Sequence, residues 1–129
     1  MRQFNHQTRR GVRMIPIKIV LWLLFTHWVS DFVMQSDWMA QNKSKKWSAL
    51  LIHCGTYAGI VASMTLSPMF GLINGIIHVP VDYVTSRINS KLLADKKVHW
   101  FFVSVGFDQF IHFVTLILTW YLLNIFPNK

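Results

Sequence analysis

The sequence predicts an all-α fold, an integral membrane antiparallel four-helix bundle. Three observations predict it. The chain is 53% hydrophobic and 14% charged, with no Glu, whereas a soluble domain is about a quarter charged. Its apolar residues come in long blocks rather than in an amphipathic period, which indicates membrane segments. The blocks are joined by short links, and only helices or closed barrels cross lipid, so four blocks make an antiparallel bundle. At 129 residues the chain is one domain.

Residues 1–14 read as a basic tail, with Arg2, Arg9, Arg10 and Arg13 near headgroups. No small-residue cleavage site follows, so the next apolar run is expected to be a retained span. The membrane domain is expected over 15–126, with spans near 15–35, 49–66, 69–86 and 99–125. Pro16 suits a first helical turn, and Lys18 can snorkel to the interface. The link from Ser36 to Lys46 carries Lys43, Lys45 and Lys46, with Trp38 and Trp47 as interfacial anchors. Ser67-Pro68 makes a tight connection. Arg87 to Lys97 is expected to be a second basic loop.

The formal charge of +8 would suggest nucleic acid in a soluble protein. Here the cations flank apolar blocks, so the expected partner is membrane lipid and not nucleic acid. The single Cys54 excludes an internal disulfide. There is no Gly-rich phosphate loop, zinc-finger spacing or nucleophile elbow.

Three of the five Asp and four of the six His lie inside the apolar blocks. They form three pairs, His27/Asp31, His78/Asp82 and Asp108/His112, with His53 alone in the second block. Residues four apart share a helix face, about 6 Å apart along the axis. The order is His then Asp on spans 1 and 3, and Asp then His on span 4. An antiparallel bundle needs that reversal to bring like residues to one level. His27, His78 and His112 are expected near mid-membrane, with Asp31, Asp82 and Asp108 one turn nearer the basic loops. His53 matches the Asp level and Tyr57 the deeper one.

A carboxylate at a helix centre costs about 2.5–3.5 kcal/mol on insertion scales, so three would cost on the order of 8–10 kcal/mol uncompensated. No Lys or Arg falls at their expected depth, which leaves histidine and a metal cation as partners. The expected ligands are His27, Asp31, His53, His78, Asp82, Asp108 and His112, holding one or two divalent ions. Imidazole with carboxylate suits zinc first, then iron or manganese. Gln35, Tyr57, Asn74 and Gln109 are expected to support the ligands by hydrogen bonds. Asp31, Asp82 and Asp108 are the candidate catalytic carboxylates. Lys43, Lys45, Lys46, Arg87 and Lys91 are candidates for drawing in an anionic substrate. Cys54 points about 100° away from His53 on a helix and is not counted as a ligand.

The pattern H-x3-D-F-x2-Q, a lone H, H-x3-D and D-Q-x2-H resembles a family of small bacterial and phage membrane proteins catalogued as a domain of unknown function. The matching residues are His27, Asp31, Phe32 and Gln35; His53; His78 and Asp82; and Asp108, Gln109 and His112. A more distant likeness is to membrane-bound metal-dependent hydrolases of bacterial inner membranes, which also carry H-x3-D pairs in spans. That likeness implies a hydrolase. A site open toward the basic loops suggests a lipid or lipid-linked phosphate substrate. The alternative is a non-enzymatic membrane protein whose His/Asp core is structural or conducts ions or protons, such as an envelope partner-binding protein; four short spans are few for a transporter unless it forms a homo-oligomer. With Met14 as the start, the tail side keeps Lys18 and Lys129 against seven cations on the loop side. The site is then expected on the cytoplasmic side of a bacterial inner membrane.

Overall fold

The computed structural model describes residues 14–123, and all its regular structure is helical. The basic tail, His6 and the expected end of the last span beyond Leu123 lie outside the described residues. Pro16 precedes helix α1 (Ile17–Trp28), and its carbonyl accepts from the amides of Ile19 and Val20 at 2.9 and 3.2 Å. α1 passes directly into a π-helical turn over Val29–Val33. A plain α-helix was expected through this stretch. The Ser30 hydroxyl donates to the Thr26 carbonyl at 2.8 Å, competing for an acceptor of the α-helical ladder. Asp31 lies in this widened turn, and π turns recur at functional sites.

The first basic link contains a short helix, α2 (Asp37–Asn42), capped by Ser36 Oγ, which accepts from Met39 N. Helix α3 (Trp47–Thr65) ends at Leu66 in the left-handed conformation, φ 54°. Ser67 then caps helix α4 (Pro68–Ala94), with Pro68 in its first turn. This corrects the expected Arg87–Lys97 loop, because α4 runs to Ala94 and carries Arg87 and Lys91 on its last turns. The loop proper is Asp95 to Lys97, and helix α5 (Val98–Leu123) follows. Pro80 lies inside α4 between His78 and Asp82. It lacks the amide that would bond the Ile76 carbonyl, so the backbone ladder is open at that turn.

The four long helices pack in a ring: α1 on α3, α3 on α4, α4 on α5, and α5 on α1. Two of them, α3 and α5, are long and apolar enough to cross a membrane. The interior divides in two. One half is apolar, with Leu23, Tyr57, Val61, Phe70, Leu116 and Trp120 in contact. The other half holds His27, Asp31, His53, His78, Asp82, Asp108 and His112, all buried. The outer surface carries Trp22, Phe25, Trp28, Ile76, Phe107 and Phe110, all exposed. Charged residues are almost never fully buried unless paired, so these side chains have to find partners inside the bundle.

The closest helix contact is between α3 and α4. A Cβ added at Gly71 would lie 2.5 Å from the Ala58 carbonyl oxygen and 2.5 Å from Ala62 Cβ. One added at Gly75 would lie 2.5 Å from Ala58 Cβ. Gly71 and Gly75 thus face Ala58 and Ala62, small residues four apart on both helices, which lets the backbones approach. Gly59, on α3, has nothing within 4 Å of such a Cβ. Gly71→Ala should therefore destabilise the protein by about 1–3 kcal/mol through overpacking against backbone, whereas Gly59→Ala should be neutral or stabilising by up to about 1 kcal/mol. Unfolding midpoints of the two variants in detergent check this; equal midpoints would contradict the close contact.

Candidate metal centre

The site forms where four helices turn polar residues inward at one level. α1 and its π turn supply His27 and Asp31, α3 supplies His53, α4 supplies His78 and Asp82, and α5 supplies Asp108 and His112. The His/Asp reversal on α5 matches its opposite direction, so the three carboxylates meet.

The densest part lies around His53. Its Nε2 is 3.0 Å from Asp31 Oδ1, 3.1 Å from Asp82 Oδ2 and 3.2 Å from His78 Nε2. His78 Nε2 is 3.2 Å from the same Asp31 Oδ1. A single N–H cannot serve three acceptors, and Asp31 Oδ1 has no partner in hydrogen-bond geometry. Donors at 2.0–2.2 Å around a tetrahedral zinc lie about 3.3–3.5 Å apart. The observed spacings are within a few tenths of an ångström of that. Asp31, His53, His78 and Asp82 could hold a metal ion, and Asp31, Asp108 and His112 form a second such group; in each, the ligand atoms lie within 4.8 Å of one another. The two groups share Asp31. His112 Nε2 lies 3.2 Å from Asp82 Oδ1 and 3.4 Å from Asp108 Oδ1, which joins them further.

His27 stands outside both groups, in contrast to the expected ligand list. Both its ring nitrogens are engaged. Nε2 is 2.6 Å from Gln109 Oε1, which can only accept, so Nε2 carries the proton. Nδ1 therefore accepts from the Tyr57 hydroxyl at 3.0 Å. This tautomer follows from the network. Gln109 then spends its two amide hydrogens on Asp31 Oδ2 at 3.2 Å and Asp108 Oδ2 at 3.0 Å. One glutamine ties two carboxylates and a histidine from three elements. Tyr57 also stacks on His78, and His78 on His112, with centroids 4.0 and 3.9 Å apart.

The other expected supporting residues stand apart. Asn74 donates to the Phe70 carbonyl and to Thr119 Oγ1, both at 2.9 Å, and pins α4 to α5. Gln35 has a buried Oε1 without a partner among the described residues and no hydrogen bond to the seven. Cys54 is buried on the α3–α4 side, with Gly75 and Val79 beside it in one groove.

Lys43 overturns the expectation that no cation reaches the carboxylates. Its Nζ lies 2.8 Å from Asp82 Oδ2, with the side chain 19% exposed. Burial works against the ammonium charge, but Asp82, Asp31 and Asp108 outweigh it and hold Lys43 above the usual lysine value. Arg87 lies against Tyr83 instead, its Cζ 3.6 Å from the ring centroid. Lys43 and Lys45 line recesses beside the site, whereas Lys46, Arg87 and Lys91 line neither.

Thr85 was not anticipated. Its hydroxyl is 2.6 Å from Asp108 Oδ1. The signal was present in the sequence, since Asn74, His78, Asp82, Thr85, Ser86 and Asn89 recur at helical spacing along α4. The stripe was cut short where the basic residues begin. Replacing Gln109 by Leu should leave two buried carboxylates and His27 each short of a partner, at about 1–3 kcal/mol for each unsatisfied group. Gln109→Leu should therefore unfold at markedly lower denaturant than Asn74→Leu, which touches none of the seven. Equal loss in the two would remove Gln109 from its organising role.

No curated protein and no solved structure matches the chain. A family model does match it, over residues 19–128, a range that takes in all seven His and Asp residues of the cluster. The chain belongs to the family described as protein of unknown function (DUF3307).

Proposed function

We propose that the protein is a membrane-embedded, metal-dependent hydrolase acting on a lipid or lipid-linked phosphate at headgroup level. One observation carries the reading: His53 Nε2, His78 Nε2 and Asp31 Oδ1 converge within 3.0–3.2 Å, with Asp82 Oδ2 beside them, in a pattern hydrogen bonding does not account for. With the imidazoles neutral, as ligation requires, three buried carboxylates and the one ammonium of Lys43 would sum to 1 − 3 = −2, the charge that one divalent ion would offset.

Asp31, His53, His78 and Asp82 would hold a zinc, iron or manganese ion, which would supply Lewis-acid chemistry toward a phosphoryl oxygen and a water near neutral pH. The chain's own part is to aim the donors and keep a carboxylate free to take a proton. Asp108, held by Thr85 and Gln109, is the candidate base. Stacking of Tyr57, His78 and His112 fixes the ring planes.

The same reading takes all four long helices as spans. The polar stripe of α4 lowers its mean hydropathy, but that stripe faces inward, while Leu72, Ile76 and Val84 are exposed. Lys43 and Lys45 lie beside the end of α4 that carries Arg87 and Lys91, and Ser90 bonds Ser44 there at 2.9 Å. By the positive-inside rule we place this end in the cytoplasm, at a bacterial inner membrane.

A second reading is a non-enzymatic polar core. Its supporting observation is that Lys43 supplies Asp82 with a counter-charge from the chain itself. Elemental analysis of detergent-purified protein separates the two. The hydrolase reading expects about one or two equivalents of metal, lost in both His53→Ala and Asp82→Asn. It also expects phosphate release from phosphatidate to fall by at least about a hundredfold in both variants. A folded wild type that takes up no metal on reconstitution would leave the polar core as the better reading.

A further inference from the structure

A cavity of ≈ 240 Å³ adjoins the donor cluster on the side of the α2–α3 link. Lys43, Ser44, Ser86, Asn89 and Ser90 line its polar side, and Leu93 and Phe101 contribute apolar wall. Through Ala40, Ser90 and Leu93 it shares its lining with a larger recess of ≈ 600 Å³ that includes Gln41 and Lys45.

Its chemistry is one-sided. Among the described residues, no acidic side chain lines either recess. Ser86 is 7% exposed, and its Oγ has no hydrogen-bond partner among the described residues. An unpaired buried hydroxyl costs free energy and is normally satisfied by a ligand or water. Asn89 Oδ1 is likewise unpartnered, and turning its amide over presents a donor instead. Ser44 and Ser90 bond only to each other in the hydrogen bonds they make, at 2.9 Å. Lys43 lines this cavity, and its Nζ lies 2.8 Å from Asp82 Oδ2.

We infer that this cavity is a phosphate-binding site, in which Lys43 Nζ and the hydroxyls of Ser86, Ser90 and Ser44 hold the oxygens of a phosphate group. A carboxylate offers two oxygens to four donors, whereas a phosphate offers enough acceptors for all of them. At about 30 Å³ per water the cavity has room for about eight waters, which is ample for a phosphate and its first ester group. The neighbouring recess, with its apolar walls, continues outward for the rest of the ligand. The inference rests on the hydrolase reading in one respect: a divalent ion on Asp82 frees Lys43 to turn its charge toward the cavity. Ion and phosphate then strengthen each other's binding, by reciprocal linkage.

The test is calorimetric titration of the full chain in detergent, before and after zinc loading, with inorganic phosphate and with dihexanoyl phosphatidate as probes. Binding of at least one probe is expected, tighter after loading. Ser86→Ala should weaken it about tenfold, the scale of one hydrogen bond to a charged group, while zinc content stays unchanged. Ser86 Oγ makes no hydrogen bond among the described residues, so this variant is expected to fold. Binding of phosphate alone identifies a soluble source; binding of phosphatidate alone identifies a lipid headgroup. No binding of either probe, or equal binding by Ser86→Ala, overturns the proposal. Zinc content is read independently, so failure to load zinc counts against the hydrolase reading and absent phosphate binding counts against the cavity.

Discussion

Everything in this bundle depends on neutralising three carboxylates that its helices carry inside. Asp31, Asp82 and Asp108 are each less than a tenth exposed, and an isolated buried charge is far too costly to persist. The chain meets part of the cost with its own groups. Gln109 spans Asp31 and Asp108, Thr85 adds to Asp108, and Lys43 reaches Asp82. His27 is drawn in by the same glutamine and held from behind by Tyr57. The relative heights of α1, α4 and α5 follow from these contacts, because a shift of one turn on any helix would part several of them at once. Polar pairing sets the register, and apolar packing fills the other half of the interior.

The site's composition was legible in the sequence for a clear reason. Apolar blocks make every His and Asp within them conspicuous, and the reversed order on the last block encodes an antiparallel partner. Six of the seven expected ligands fall into the two donor groups. His27 departs because ligand and supporting residue look alike in one dimension; only the position of Gln109 tells them apart. Lys43 was missed for another reason. Depth was read from the position of its backbone in a polar link, but a lysine has a four-carbon stem that carries its charge well away from its Cα.

The fold was legible in outline and blurred at its boundaries. The basic residues from Arg87 onward resemble a loop in sequence, yet the polar stripe of α4 continues through Ser86 and Asn89 and the helix runs to Ala94. The π turn at Val29–Val33 left no pattern in residue type beyond one serine, and hydrophobic spacing does not resolve a single inserted residue in a turn. The Gly71 and Gly75 pair was open to reading as a small-residue motif, yet its partner face on α3, Ala58 and Ala62, could be recognised only once the helices were side by side.

That pair divides the bundle mechanically. Where Gly71 and Gly75 meet Ala58 and Ala62, the helix backbones approach so closely that not even an added methyl group fits between them. α3 and α4 therefore behave as a single rigid plate that carries His53, His78 and Asp82. Against that plate, α5 is fastened by the Asn74–Thr119 bond and by Leu116 and Trp120 in the apolar half of the interior, whereas α1 packs less extensively on α3 and α5. The bundle thus has one welded seam, between α3 and α4, and its sparsest seams are the two that α1 makes.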